Sequence, residues 1–227
     1  MADYVFAPPV QAAVPVEGSS ALFPVRRILC VGRNYAAHRA EMGGDDREPP
    51  FFFSKPADAV VTPGHDVPYP SLTRNLHHEV ELVAALGAGG ADVSVEAARA
   101  MVFGYAVGVD LTRRDLQSAA KDKGQPWDSG KAFDAAAPIG LVRPAALCGD
   151  VQGRIRLTVN GETRQDATVA DMIWSLPEVI AQASRLWRLA PGDLIYTGTP
   201  EGVGPLVRGD VAHGEIEAVG VLDFKIV

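Results

Sequence analysis

His77-His78-Glu79-Val80-Glu81, followed about thirty residues later by Gly108-Val109-Asp110, is the part of the chain on which the rest turns. Side chains along a β-strand alternate between faces, so Glu79 and Glu81 share one face, roughly 6–7 Å apart. Carboxylates that close repel, and one must keep its proton unless a cation sits between them. Asp110 ends a second apolar run, Tyr105-Ala106-Val107-Gly108-Val109. Three hard oxygen donors with no cysteine ligand nearby suit Mg²⁺ or Mn²⁺, with positions open for water and substrate. The competing reading leaves Glu79 and Glu81 on the solvated face of an edge strand.

The surrounding sequence narrows the class. The 227 residues allow one sizeable core, or a main domain with a small appendage. The 23 glycines and 17 prolines favour short strands and turns over a helix bundle. A net charge of −7 argues against nucleic acid or an anionic membrane as partner. Two cysteines, Cys30 and Cys148, fit a reducing compartment. Asp3 and Glu17 near the start, with no basic stretch, do not make a signal peptide. The longest apolar run, residues 101–109, is too short to span a bilayer. A soluble cytoplasmic protein is expected.

Residues 1–24, rich in Pro, Ala and Val without a clear period, are expected to form an extended arm, and residues 25–227 a single domain. Residues 27–32 read as a buried strand, 34–42 as a short helix broken by Gly43-Gly44, and 51–55 as a strand heading inward. Thr112 and Asp115 fit a capping box, with Leu111 and Leu116 as its hydrophobic staple. A helix should therefore begin just past Asp110 and turn its N-terminus, with Arg113 and Arg114, toward whatever binds there. Lys121, Lys123 and Gly124 suit its end. Ile155, Leu157 and Val159 alternate with polar residues up to Asn160-Gly161, a type I′ hairpin signal. Ser175 and Glu178 form a second capping box, opening a helix with Val179, Ile180, Ala183 and Trp187 on one face. Leu222, Phe224 and Ile226 alternate inward at the C-terminus. Several strands and few helices predict an α+β protein dominated by β structure.

Some familiar chemistries are excluded. No Gly-x-Ser-x-Gly elbow is present. Residues 87–92 lack the third glycine of a dinucleotide fingerprint, and residues 124–132 miss the P-loop spacing. His38 and Glu41, at i and i+3, are neighbours on one helical face. A carboxylate beside an imidazole raises its basicity, giving a water-activating dyad; the alternative is an exposed surface pair. Lys131, on a Gly-Lys step between Trp127 and Phe133, could be a desolvated cation that stabilises negative charge, or a solvent-facing lysine. Thr197-Gly198-Thr199-Pro200 is a turn able to hold a carboxylate, or an ordinary Gly/Pro turn.

Taken in order, five segments resemble the fumarylacetoacetate hydrolase family: Gly32-Arg33-Asn34-Tyr35 with His38 and Glu41, His78-Glu79-Val80-Glu81, residues 110–117, Lys131-Ala132-Phe133-Asp134, and Thr197-Gly198-Thr199-Pro200. The resemblance runs from about Ile28 to the C-terminus. It implies a mixed, mostly β, roll- or sandwich-like core with a few short helices, usually a homodimer, with one Mg²⁺ or Mn²⁺ per subunit. It makes Glu79, Glu81 and Asp110 the metal ligands, His38 and Glu41 the catalytic dyad on a lid, and Lys131 an oxyanion-stabilising group. Arg33, Tyr35, Arg114, Gln117 and Thr199 become contacts to a small 2-oxo acid substrate. The chain resembles the short members of the family. Hydrolytic carbon–carbon cleavage of an acylpyruvate, most simply 3-fumarylpyruvate in gentisate breakdown, is the activity this implies. Oxaloacetate decarboxylation, isomerisation of unsaturated 2-oxo dicarboxylates, and organic-acid binding without turnover are the other outcomes weighed.

Overall fold

The computed structural model describes residues 3–35, 48–149 and 151–227. Its centre is a six-stranded sheet in the order Arg143–Pro144, Val102–Val109, Val80–Leu86, Asp193–Tyr196, Arg27–Gly32 and Phe51–Lys55. Only the pairing of Asp193–Tyr196 with Arg27–Gly32 is parallel; the others are antiparallel. The inner strands are continuous apolar runs because both faces are covered. Strand alternation sends Ile28, Cys30, Val83, Leu194 and Tyr196 into one core and Leu29, Val31, Ala84, Leu86 and Ile195 into another.

A four-stranded antiparallel sheet closes the first core: Glu162–Thr168, Arg154–Val159, Val211–Ile216 and Gly220–Lys225. Ile155, Leu157, Leu222, Phe224 and Ile226 point into it, as their spacing predicts. Asn160 and Gly161 turn with φ of 52° and 83°, the paired positive values a type I′ hairpin needs. The second core is closed by the helix Leu176–Leu186, which brings Val179, Ile180 and Ala183 inward. Its capping box forms as expected, Ser175 N–H donating to Glu178 Oε2 at 2.9 Å. Each large aliphatic side chain buried on that face contributes about 1.5–3 kcal/mol. The α+β, mostly β sandwich is the architecture the sequence implies. Among the described residues no helix is long and apolar enough to cross a membrane.

Several local expectations change. Glu79 and Glu81 do not share an uninterrupted strand. Leu76–His78 pairs with Thr112–Arg113 and Gly204–Leu206, Val80–Leu86 belongs to the main sheet, and Glu79 is the joint between them. Thr112 is no N-cap: the helix runs Arg114–Asp122 without a side-chain cap. Thr112 instead pairs with His77, and its hydroxyl donates to Glu79 Oε1 at 3.1 Å. Asp115 accepts from the Thr73 hydroxyl and Arg74 N–H, tying the approach to Glu79 onto that helix. Within the expected arm, Ala13–Pro15 pairs with Leu22–Pro24, and Val14 and Phe23 enter the first core, since apolar strand residues gain more by burial than by extension into water. Asn34 and Tyr35 are not helical, Tyr35 forming a bridge to Met172. The rest of the helix expected over 34–42, with His38 and Glu41, lies outside the described residues.

Candidate metal centre and active site

Carboxylate oxygens of Glu79, Glu81 and Asp110 all lie within 4.8 Å of one another. Their relative exposures are 6%, 1% and 0%, so the solvated-face reading fails. The backbone brings them together: Asp110 N–H donates to the Glu79 carbonyl at 2.8 Å, across the ends of two paired strands. Glu81 is held from the far side, where Gly198 N–H donates to its Oε2 at 2.7 Å. Gly198 has φ +97°, and a Cβ there would lie 2.7 Å from Asn34 Cβ, so glycine is required at this contact. The Thr197-Gly198-Thr199 turn thus holds a carboxylate of the chain itself. Burial, then the charges of Asp110 and Glu79, push the Glu81 carboxyl well above the usual range. A buried all-oxygen cluster whose like charges cannot coexist unaided fits a hard divalent cation.

Among the described residues, Lys131, Arg114 and Lys55 are paired with the carboxylates of the cluster. Lys131 Nζ lies 2.6 Å from Asp110 Oδ2, 2.8 Å from Glu79 Oε2 and 2.6 Å from Thr112 Oγ1, an acceptor for each of its N–H groups. Burial opposes its charge, but Asp110 and Glu79 outweigh burial and hold the ammonium above the ordinary lysine value. Lys131 is an interior counterion. Its preceding Gly130 allows this, since a Cβ there would meet Gln117 N at 2.8 Å. Arg114 pairs with Glu79 Oε1 and donates to Gln117 Oε1 at 2.6 Å. Arg113 turns elsewhere, its guanidinium 4.4 Å from the Phe133 ring centroid.

Two residues that hold the cluster were not singled out from the sequence. Lys55, its side chain fully buried, lies 2.7 Å from Asp110 Oδ1 and donates to the carbonyls of Leu111 and Lys131. The available signal was periodicity: Phe51, Phe53 and Lys55 occupy one face of the strand. Gln165 reaches the Glu79–Glu81 segment from the four-stranded sheet, donating to Thr199 Oγ1 and accepting from Val80 N–H.

Arg33, Glu79, Glu81, Arg114, Gln117, Lys131 and Thr199, with Phe53 and Trp127, line a cleft of about 30 Å³, room for an ion and a water. Arg33 enters it from a backbone φ of 61°, a strained conformation for a non-glycine residue, worth about 1–3 kcal/mol. Tyr35 is absent from this lining; it is buried, and burial pushes its phenol up. A larger cleft of about 420 Å³ shares Phe53, Trp127 and Lys131 and is walled by Phe51, whose ring sits 4.8 Å from that of Trp127. The expected dyad His38 and Glu41 lies outside the described residues.

Comparison with known proteins agrees with this fold. Residues 27–227 match the family model described as fumarylacetoacetate (FAA) hydrolase C-terminal. A fumarylpyruvate hydrolase from a Ralstonia species is 44% identical over 79% of this chain and 93% of its own. The oxaloacetate tautomerase YcgM of Escherichia coli K12 is 43% identical over 86% of this chain and 90% of its own. The crystal structure of fumarylpyruvate hydrolase from Pseudomonas aeruginosa, in complex with Mn²⁺ and pyruvate, superposes with a TM-score of 0.96 at 50% identity, covering 99% of both chains. With the acidic triad, the lysine beside it and the sandwich beneath all in place, the chain belongs to the fumarylacetoacetate hydrolase family.

Proposed function

We propose that this enzyme hydrolyses the carbon–carbon bond of an acylpyruvate, 3-fumarylpyruvate being the substrate for which the Ralstonia and Pseudomonas relatives are named. The observation that carries the reading is the buried Glu79–Glu81–Asp110 cluster opening onto a cleft lined by Arg33, Arg114 and Lys131. Glu79, Glu81 and Asp110 would hold one Mg²⁺ or Mn²⁺ per subunit. Bound there, the cation supplies Lewis-acid polarisation of a 2-oxo acid and a sink for the charge released as the pyruvyl fragment departs.

The remaining steps belong to side chains of the protein. Arg33, Arg114, Gln117 and Thr199 contact oxygens of the substrate from the cleft wall. His38, oriented by Glu41, takes a proton from water, which attacks the C4 carbonyl; such base assistance is worth about 10²–10⁴-fold. Lys131 stabilises the resulting oxyanion. The C3–C4 bond then breaks, fumarate forms at C4, and C3 of the pyruvyl fragment takes up a proton. The planar unsaturated acyl group packs on the rings of Phe51, Phe53 and Trp127. On this reading the protein works as a cytoplasmic homodimer.

The identity to an oxaloacetate tautomerase supports a second reading. Enolisation of oxaloacetate uses the same carboxylates and a proton carrier, without an attacking water. A panel of 3-fumarylpyruvate, acetylpyruvate and oxaloacetate, each with added Mg²⁺, separates the two. The first reading expects release of pyruvate and fumarate at the highest kcat/KM of the three. Turnover of oxaloacetate alone overturns it.

A further inference from the structure

Gln165 lies on a strand whose neighbours Glu162, Thr163, Arg164 and Asp166 are exposed, yet it is 1% exposed itself. A break in strand register explains the difference. From the hairpin turn, Glu162 pairs with Val159 and Thr163 with Thr158, so regular pairing would set Arg164 opposite Leu157, on the core face. The register shifts between Leu157 and Thr158, and Gln165 stands opposite Leu157 instead. Directly paired residues share a face, so this bulge expels a charged arginine and turns an amide inward.

Every polar atom of that amide is used. Its Oε1 accepts from Val80 N–H at 3.0 Å and lies 3.0 Å from His78 Nδ1. Its Nε2 donates to Thr199 Oγ1 at 2.8 Å and to the Pro200 carbonyl at 2.9 Å. The partners fix the orientation of the amide, since one side meets a backbone donor and the other a backbone acceptor. They also place the His78 proton on Nδ1. Thr199 in turn donates its hydroxyl to the Val80 carbonyl at 2.9 Å. Val80 separates Glu79 from Glu81, and both of its backbone polar groups are thereby tied into one closed loop of hydrogen bonds through Gln165 and Thr199. The same turn supplies the Gly198 N–H that holds Glu81.

We propose that Gln165 is a positioning residue for the metal centre, setting the separation of Glu79 and Glu81 through Val80 and docking the Thr199 turn against them. This rests on the reading of those carboxylates as ligands of a divalent cation. Partners that orient ligands typically affect metal affinity about 10–100-fold.

The test is Mn²⁺ binding by calorimetry to the full chain, wild type against Gln165→Met, with Leu157→Ala as a destabilising control on the same hairpin. Gln165→Met should weaken Mn²⁺ affinity by about tenfold or more, while Leu157→Ala stays within about twofold of wild type. A second readout is the ¹⁵N spectrum of the His78 ring, whose Nδ1–H tautomer should be lost in Gln165→Met and kept in Leu157→Ala. Gln165→Asn, an amide one methylene too short to reach both sides, is carried in parallel and should follow Gln165→Met should that variant not fold. Unchanged affinity in both Gln165 variants, or equal weakening in the control, overturns the proposal. Failure of the wild type to bind Mn²⁺ overturns the metal-centre reading itself and this proposal with it.

Discussion

Lys55 Nζ lies 2.7 Å from Asp110 Oδ1, and neither side chain reaches solvent. Lys131 takes the other Asp110 oxygen at 2.6 Å, so each oxygen of this carboxylate has its own ammonium. Removing one partner of a buried pair leaves an uncompensated charge and costs about 3–5 kcal/mol. Lys55→Met should lower the unfolding free energy of the metal-free protein by that amount in denaturant titrations. A carboxylate deprived of its ammonium has more to gain from a cation. The rise in thermal midpoint on adding Mn²⁺ should therefore be larger for Lys55→Met than for wild type, and an equal rise would show that Lys55 does not balance Asp110.

The Glu81 carboxyl gives the metal-free protein a definite pH response. Burial and its acidic neighbours raise it above the ordinary value of 4.5, so the folded state keeps a proton that the unfolded chain gives up. The contribution of this group to stability is therefore greatest at and below that value and declines as pH rises through the raised one. A cation must displace the proton, so metal affinity should increase with pH across the same window. Calorimetry in two buffers of different ionisation enthalpy should detect proton release on Mn²⁺ binding, shrinking as pH rises. Chelation should stop turnover, with Mg²⁺ or Mn²⁺ restoring it. Proton-neutral binding at every pH would remove Glu81 from the ligand set.

Hydrolysis needs an attacking water, whereas decarboxylation and enolisation of oxaloacetate do not. His38→Ala should therefore lower acylpyruvate hydrolysis by about 10²–10⁴-fold and affect any oxaloacetate turnover less. Glu41→Gln should follow in the same direction with a smaller loss, because it orients the imidazole without replacing it. Equal losses on both substrates, read from steady-state kcat/KM, would count against the dyad as a water activator.

The triad was legible because its signal is local: two glutamates spaced by one residue, and an aspartate ending an apolar run. The Asn160-Gly161 turn and the Ser175–Glu178 capping box were legible for the same reason, their partners being at most three residues away. Lys55 and Gln165 were not, since what makes them important is contact with segments 56 and 85 residues distant. Strand period alone puts Arg164 where Gln165 sits, and nothing in the composition of residues 162–168 announces a bulge. The split of the Glu79 strand was hidden likewise, because the pairing of Leu76–His78 with Thr112–Arg113 is a tertiary fact.

Thr112 separates local from tertiary control. Read as a helix cap, its loss would cost about 1 kcal/mol of stability and leave the site alone. In the folded protein its hydroxyl donates toward Glu79 Oε1 and accepts from Lys131 Nζ at 2.6 Å. Thr112→Val keeps the shape but strands one buried N–H of Lys131, a cost of about 1–3 kcal/mol. It should lower kcat/KM on the order of tenfold, whereas Thr112→Ser, which retains the hydroxyl, should stay near wild type. Helix content by far-UV circular dichroism should be the same in all three proteins, because the Arg114–Asp122 helix has no side-chain cap to lose. Loss of helix signal in Thr112→Val with activity intact would return Thr112 to the role its sequence position first suggests.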